Sequence, residues 1–252
     1  MDLKLEGKTA LVTGASSQGI GRAIAKGLAA EGVQLCISAR RRELLEQLSG
    51  EVVSAGGKQP HIAAVDIMQE GGPQKLAQEA LQGLGRIDIL VNCAGGGGGK
   101  FSITDPEEKW VKEITFNYTR VRQLILAVLP DMIKHRWGRI INVTGKSEPR
   151  GLLGATAPKA ALHGLSKGLS SDVGKYGITV NSIAPGKILT EQILRKYTEQ
   201  RRREYAELEI PVGRFGTPEE LASLAVFLAS PHASYITGTV IPVDGGLRRY
   251  AF

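Results

Sequence analysis

Short runs of aliphatic and β-branched residues alternate along the chain with longer stretches whose apolar positions recur at helical spacing. The runs cover residues 9–13, 33–38, 61–66, 87–92, 139–144, 179–183 and 239–243. Several are almost continuously apolar, the pattern of strands buried on both faces beneath covering helices. Amphipathic stretches over 21–31, 106–134, 156–175 and 218–229 supply such helices. Regular alternation of this kind builds βαβ units, so a Rossmann-type α/β fold is expected, a doubly wound parallel sheet of about seven strands. No repeat or linker interrupts the alternation, and residues 1–252 are expected to form a single domain. The stretch 187–214 is too polar for a core and too long for a tight connection, and is expected to form a flap inserted over the site, the other reading being an exposed helical insertion.

Composition narrows the possibilities. With 42% hydrophobic and 23% charged residues the chain reads as globular. The opening MDLKLEGKTA lacks a signal-length apolar stretch, and no run reaches the ~18 apolar residues of a membrane span, so a cytoplasmic protein without membrane contact is expected. Cys36 and Cys93 both fall in apolar runs, which suits small buried hydrophobes better than a disulfide or metal pair. The net charge of +7 comes from scattered short clusters at 40–42, 201–203 and 248–249. A nucleic-acid partner would call for one concentrated patch, and none is expected.

Only the first cluster falls where an anion is anticipated. Run 9–13 leads into Thr13-Gly14-Ala15-Ser16-Ser17-Gln18-Gly19-Ile20-Gly21, and a helical stretch follows. Glycines allow a tight turn and close backbone approach, while a helix N-terminus offers free N–H groups and positive dipole to a pyrophosphate. Gly14, Ser16, Ser17, Gly19, Ile20 and Gly21 are therefore the expected dinucleotide cradle. Run 33–38 ends in Ala39-Arg40-Arg41-Arg42, where an NAD site would place an acid for the ribose 2′-hydroxyl. An arginine there suits a 2′-phosphate, so Arg40 points to NADP, with NAD the second choice.

Five further segments extend the pattern: Asp66-Ile67 after the third run, Asn92-Cys93-Ala94-Gly95 at the end of the fourth, Asn117 in Phe116-Asn117-Tyr118, Asn181 to Gly186, and Val243-Asp244-Gly245-Gly246. In that order and spacing the chain resembles the short-chain dehydrogenase/reductase family over essentially its whole length. The resemblance implies that Asp66 and Ile67 meet adenine and that Asn92, Ala94, Gly95 and Thr144 line the cofactor site. It also implies that Pro185, Gly186 and Ile188 close over the nicotinamide, that Lys159 bonds its ribose, and that Asn117 belongs to the catalytic set. A small-molecule substrate is implied as well. So is a homotetramer, because stretches 106–134 and 156–175 correspond to helices that pack across the family's two-fold interfaces. Tyr250 and Phe252, which a monomer would expose, fit that assembly.

The turn departs from the family in having four residues between Gly14 and Gly19 where three are usual. A larger departure falls on the catalytic groups. The family uses Asn, Ser, Tyr and Lys, the last two spaced Y-x-x-x-K. With Lys159 as the lysine, Ala155 stands at the tyrosine position and Gly145 at the serine position, across a shortened connection. Hydride reduction of a carbonyl makes an alkoxide that needs a proton, and a positioned general acid contributes ~10²–10⁴ in rate, roughly 3–5 kcal/mol. Lys146 and Ser147 in the adjoining polar segment are the expected substitutes. His163, one turn after Lys159, is expected to pack against the helix, and Tyr118 to point elsewhere. The sequence thus suggests an NADP-dependent oxidoreductase acting on a small carbonyl or hydroxyl substrate, with atypical proton delivery. A cofactor-binding regulatory or partner subunit and a non-redox lyase-type enzyme are the alternatives.

Overall fold

A computed structural model describes residues 1–145 and 151–250. Seven parallel strands form one sheet in the order β3-β2-β1-β4-β5-β6-β7. They are β1 (Thr9–Thr13), β2 (Gln34–Ser38), β3 (His61–Ala63), β4 (Ile89–Asn92), β5 (Gly138–Val143), β6 (Ile178–Pro185) and β7 (Val240–Val243). The order runs outward from β1 in both directions, so the chain reverses between β1 and β4. A crevice opens there at the carboxyl ends of the strands, where this class of sheet binds its ligands.

Alternating side chains along each strand feed two cores. On one face Ala10, Val12, Leu35, Ile37, Ile89 and Val91 pack under α1 (Ile20–Ala30), α2 (Arg42–Ser54) and α9 (Pro218–Ala229). On the other, Leu11, Cys36 and Leu90 pack under α3 (Gly72–Leu84), α5 (Arg120–His135) and α6 (Thr156–Val173). The near-continuous apolar runs follow directly, because residues of both parities are buried. Helix α1 lies close against α9. A Cβ on Gly27 would come within 2.9 Å of Val226 Cγ2.

One expected helix is divided, and the polar insertion takes a helical form. The stretch 106–134 is three pieces: α4 (Glu107–Ile114), a π-helical turn (Thr115–Thr119) and α5. Helical periodicity runs through all three, and the one-residue bulge leaves no mark in an amphipathic pattern. The polar stretch 187–214 is helical, with α7 (Glu191–Lys196) and α8 (Glu199–Glu209). Ala206, Ile210 and Phe215 give it a small core of its own, with Tyr197 and Tyr205 edge-on to the Phe215 ring. No described helix is long and apolar enough to cross a membrane.

Candidate active site

Thr13 ends β1 with its hydroxyl accepting from the backbone N–H groups of Cys93 and Ala94, each at 3.0 Å, which ties the carboxyl ends of β1 and β4 together. Gly14 follows at φ +70°, in the left-handed region, with its Cα so close to β4 that a Cβ would lie 2.9 Å from Ala94 N. Gly21, in the first turn of α1, is tighter still: a Cβ there would sit 2.6 Å from Gly14 O. The turn can therefore close only with glycine at both positions. Helix α1 has Gly19 at its N-cap and no side chain capping it, so its leading N–H groups face the crevice.

The crevice is a cleft of about 840 Å³. Gly14, Ser16, Ser17, Gly19, Ile20 and Gly21 form one wall. Beyond them Arg40 and Arg41 stand at the end of β2, and Arg41 Nη2 reaches Ser16 Oγ at 3.5 Å. Asp66 and Ile67 line the cleft after β3, and Ala94 and Gly95 after β4. Thr144, Lys159, Pro185, Gly186 and Ile188 continue it towards α7. A glycine-walled turn and a helix N-terminus without a side-chain cap suit the pyrophosphate of a dinucleotide.

Two expected residues lie behind the cleft surface. Asn92 is buried in β4 and donates from Nδ2 to Asn142 Oδ1 at 2.8 Å, and Asn142 donates onward to Ser166 Oγ at 2.9 Å. This buried amide chain fixes β4, β5 and α6 under the floor. Asn117 is buried in the π-helical turn, with both polar atoms engaged by its own chain. Its Oδ1 accepts from Gly96 N–H at 3.0 Å, and its Nδ2 donates to Glu113 O at 3.2 Å and Glu113 Oε2 at 2.9 Å.

Lys159 extends from α6 to the end of β5, where Nζ donates to Thr144 O at 2.8 Å. Burial lowers its pKa, opposed by the Glu113 charge. The Thr144 hydroxyl donates to Ile183 O at 3.1 Å, which uses its one proton. His163 Nε2, 2.7 Å from the same oxygen, must then be the donor, and the ring is a neutral Nε2–H tautomer. Its pKa is lowered by burial and then by Lys159. The helix-packing expectation thus misses one feature: His163 holds Thr144 in place from behind. Cys93 lines the cleft, yet burial pushes its thiol up to about 12, so it stays an unreactive thiol at neutral pH.

None of the six tyrosines lines the cleft. Ala155 caps the N-terminus of α6, and a Cβ on Gly145 would stand 3.2 Å from Lys159 Cδ. Lys146 and Ser147 lie outside the described residues. Glu113 and Gln192 also line the cleft, and sequence reasoning passed over both. The signal for Glu113 was present, since it lies four residues before Asn117 and shares its helix face. Nothing in 187–214 marked Gln192, whose place depends on α7 folding back. That return is set where Glu191 N–H donates to Gln18 O at 2.8 Å.

The sheet order and the glycine-walled cleft at its switch point define a nucleotide-binding Rossmann protein. Comparison with known proteins makes this specific. Residues 14–248 match the family model described as enoyl-(acyl carrier protein) reductase. The chain is 37% identical to the 3-oxoacyl-[acyl-carrier-protein] reductase FabG of Aquifex aeolicus, over 98% of this chain and all of that one. L-sorbose reductase from Gluconobacter frateurii, solved with NADPH and L-sorbose, superposes with TM-score 0.93 at 32% identity, covering 99% of this chain and 100% of that one. A 7α-hydroxysteroid dehydrogenase complexed with NADH and 7-oxo glycochenodeoxycholic acid superposes with TM-score 0.91 at 33% identity, covering 97% and 96%. The chain belongs to the short-chain dehydrogenase/reductase family and is an NAD(P)-dependent oxidoreductase.

Proposed function

We propose that the cofactor is NADP and that the chain interconverts a small carbonyl compound and its alcohol, with a group other than tyrosine handling the proton. One observation carries this: a continuous cleft has arginines at one end, a desolvated lysine at the other, and no tyrosine between them. Bound cofactor supplies or accepts hydride at its nicotinamide. Gly14, Ser16, Ser17, Gly19, Ile20 and Gly21 hold the pyrophosphate, and Arg40 reads the 2′-phosphate with Arg41 beside it. Asp66 and Ile67 hold adenine. Asn92, Ala94, Gly95, Thr144, Pro185, Gly186 and Ile188 shape the nicotinamide end, where Lys159 bonds the ribose. Asn117 and Lys159 belong to the catalytic set, with Lys146 and Ser147 as the candidate proton carriers from the sequence. The 187–214 segment covers the substrate. The substrates and ligands named for the relatives (3-oxoacyl-[acyl-carrier-protein], L-sorbose, 7-oxo glycochenodeoxycholic acid) support a carbonyl as the reacting group.

A cytoplasmic homotetramer is part of the same reading. Val111, Ile114 and Leu126 expose apolar side chains along α4 and α5, which supports a covered face there.

Fluorescence titration of NADPH and NADH against the wild type and Arg40→Ala tests the cofactor assignment. The wild type is expected to bind NADPH more tightly. The variant is expected to lose roughly 10–100-fold of that affinity, the ~1.5–3 kcal/mol of a charged hydrogen bond, with NADH unchanged. Tighter NADH binding by the wild type would sink it. NADPH oxidation with ethyl acetoacetate, 2,3-butanedione and cyclohexanone then tests the reaction.

A further inference from the structure

Glu113 is a carboxyl group for which the fold has made room. It leaves α4 one turn before Asn117 and lines the cleft. Two glycines from other segments define its slot. A Cβ on Gly154 would lie 2.8 Å from Glu113 Cγ. A Cβ on Gly98 would lie 2.9 Å from Glu113 Oε2 and collide with the backbone nitrogen of Ala155. Gly98 has φ +66°, so side chains are disfavoured there on conformational grounds as well. The carboxylate is therefore seated against the N-terminus of α6, beside the backbone of the residue four positions before Lys159.

Its neighbours suit proton transfer. Lys159 feels the Glu113 charge, and Asn117 Nδ2 holds Oε2 at 2.9 Å. That amide has no free polar atom to offer a substrate, since Gly96 N–H takes its Oδ1. Lys159 Nζ is engaged by Thr144 O, and His163 reaches the site only through Thr144. The Glu113 carboxyl lines the cleft and is an oxygen acid that can give a proton and take it back, whereas Glu191, the carboxyl that lines the cleft from α7, is ion-paired with Arg195.

We propose that Glu113 is the catalytic residue that carries the substrate proton. This rests on the reading of the chain as an NADP-dependent carbonyl reductase. As the carbonyl carbon gains hydride, its π pair moves onto oxygen. For this the Glu113 carboxylate first takes a proton from solvent water; its O–H bond then breaks, the proton passes to the substrate oxygen, and a carboxylate and an alcohol remain. In the oxidative direction the carboxylate accepts the hydroxyl proton while the carbon gives up hydride. Asn117 is then a positioning residue that orients Oε2.

The alternative role for Glu113 is a clamp on Asn117 alone, and Glu113→Gln separates the two. The amide oxygen still accepts from Asn117 Nδ2, but the side chain no longer carries an acidic proton. NADPH oxidation is followed with ethyl acetoacetate, 2,3-butanedione and cyclohexanone, and NADPH binding by fluorescence. Glu113→Gln is expected to lower kcat by ~10²–10⁴-fold while the NADPH Kd stays within about twofold. Added formate is expected to restore about tenfold or more of the rate lost in Glu113→Ala, as a small acid enters the vacated slot. Glu113→Gln is expected to lose more rate than Lys146→Ala or Ser147→Ala. A Glu113→Gln enzyme within about threefold of wild type overturns the proposal, and so does a rate loss without formate rescue, which leaves only the clamp. A wild type that binds NADPH but turns over none of the three probes overturns the redox reading, and this proposal with it.

Discussion

The two ends of the cleft are built in different ways. At the glycine-rich end one continuous segment from Thr13 to Gly21 forms the wall, closed by Gly14 and Gly21, neither of which has room for a Cβ. At the other end the cleft is lined by side chains from three separate places, Glu113 beside the π-helical turn, Thr144 after β5 and Lys159 on α6, with Asn117 behind Glu113. Backbone recognition survives most sequence change, because it needs only the turn conformation. Side-chain chemistry is open to substitution, and there the chain carries Ala155 and Gly145 beside its lysine.

If this contrast holds, damage at the nucleotide end is steric and abolishes binding outright. Gly21→Val places a branched side chain where even a Cβ would stand 2.6 Å from Gly14 O, and is expected to weaken NADPH binding by at least ~100-fold, about 2.7 kcal/mol. Fluorescence titration, with circular dichroism to establish that the sheet persists, measures it. NADPH affinity within about tenfold of wild type would show that the turn is not a rigid cradle.

At the chemical end a substitution should trade function against stability. Lys159 has a lowered pKa in the folded state, so below its unfolded value the folded protein binds fewer protons at this site than the unfolded chain. The buried ammonium therefore costs stability at neutral pH, and the cost fades as pH rises towards 10.5. Lys159→Met removes that dependence. The melting temperature of the variant relative to wild type is expected to be most favourable near pH 7 and to decline towards pH 10, while NADPH binding weakens by roughly tenfold from the lost ribose contact. A pH-independent difference in melting temperature would mean that the lysine is well solvated.

The smallest effect belongs outside both ends. Thr217 caps α9 in a reciprocal capping box with Glu220. Thr217→Ala is expected to cost about 1 kcal/mol, a drop of about 2–4 °C in melting temperature, with NADPH affinity untouched. A change in affinity would show that the cleft depends on distant scaffold packing.

Much of this was legible in the residues themselves. All seven strands fall within apolar runs; in the central strands burial on both faces removes the polar alternation, while the edge strands β3 and β7 are only partly buried. The glycine turn after β1 was equally plain, since glycine's conformational freedom is a property of each residue alone. Only the tertiary structure decided the chemical end. The π-helical turn is invisible in helical periodicity, yet it accompanies the burial of Asn117 and the exposure of Glu113 to the cleft. The engagement of Asn117 by Gly96, of Lys159 by Thr144 and of Thr144 by His163 joins segments far apart in the chain. Contacts of that range have no period and no local composition. They arise when the sheet brings the carboxyl ends of its strands together, which is why the place of Glu113 in the cleft had no mark in the sequence beyond its spacing to Asn117.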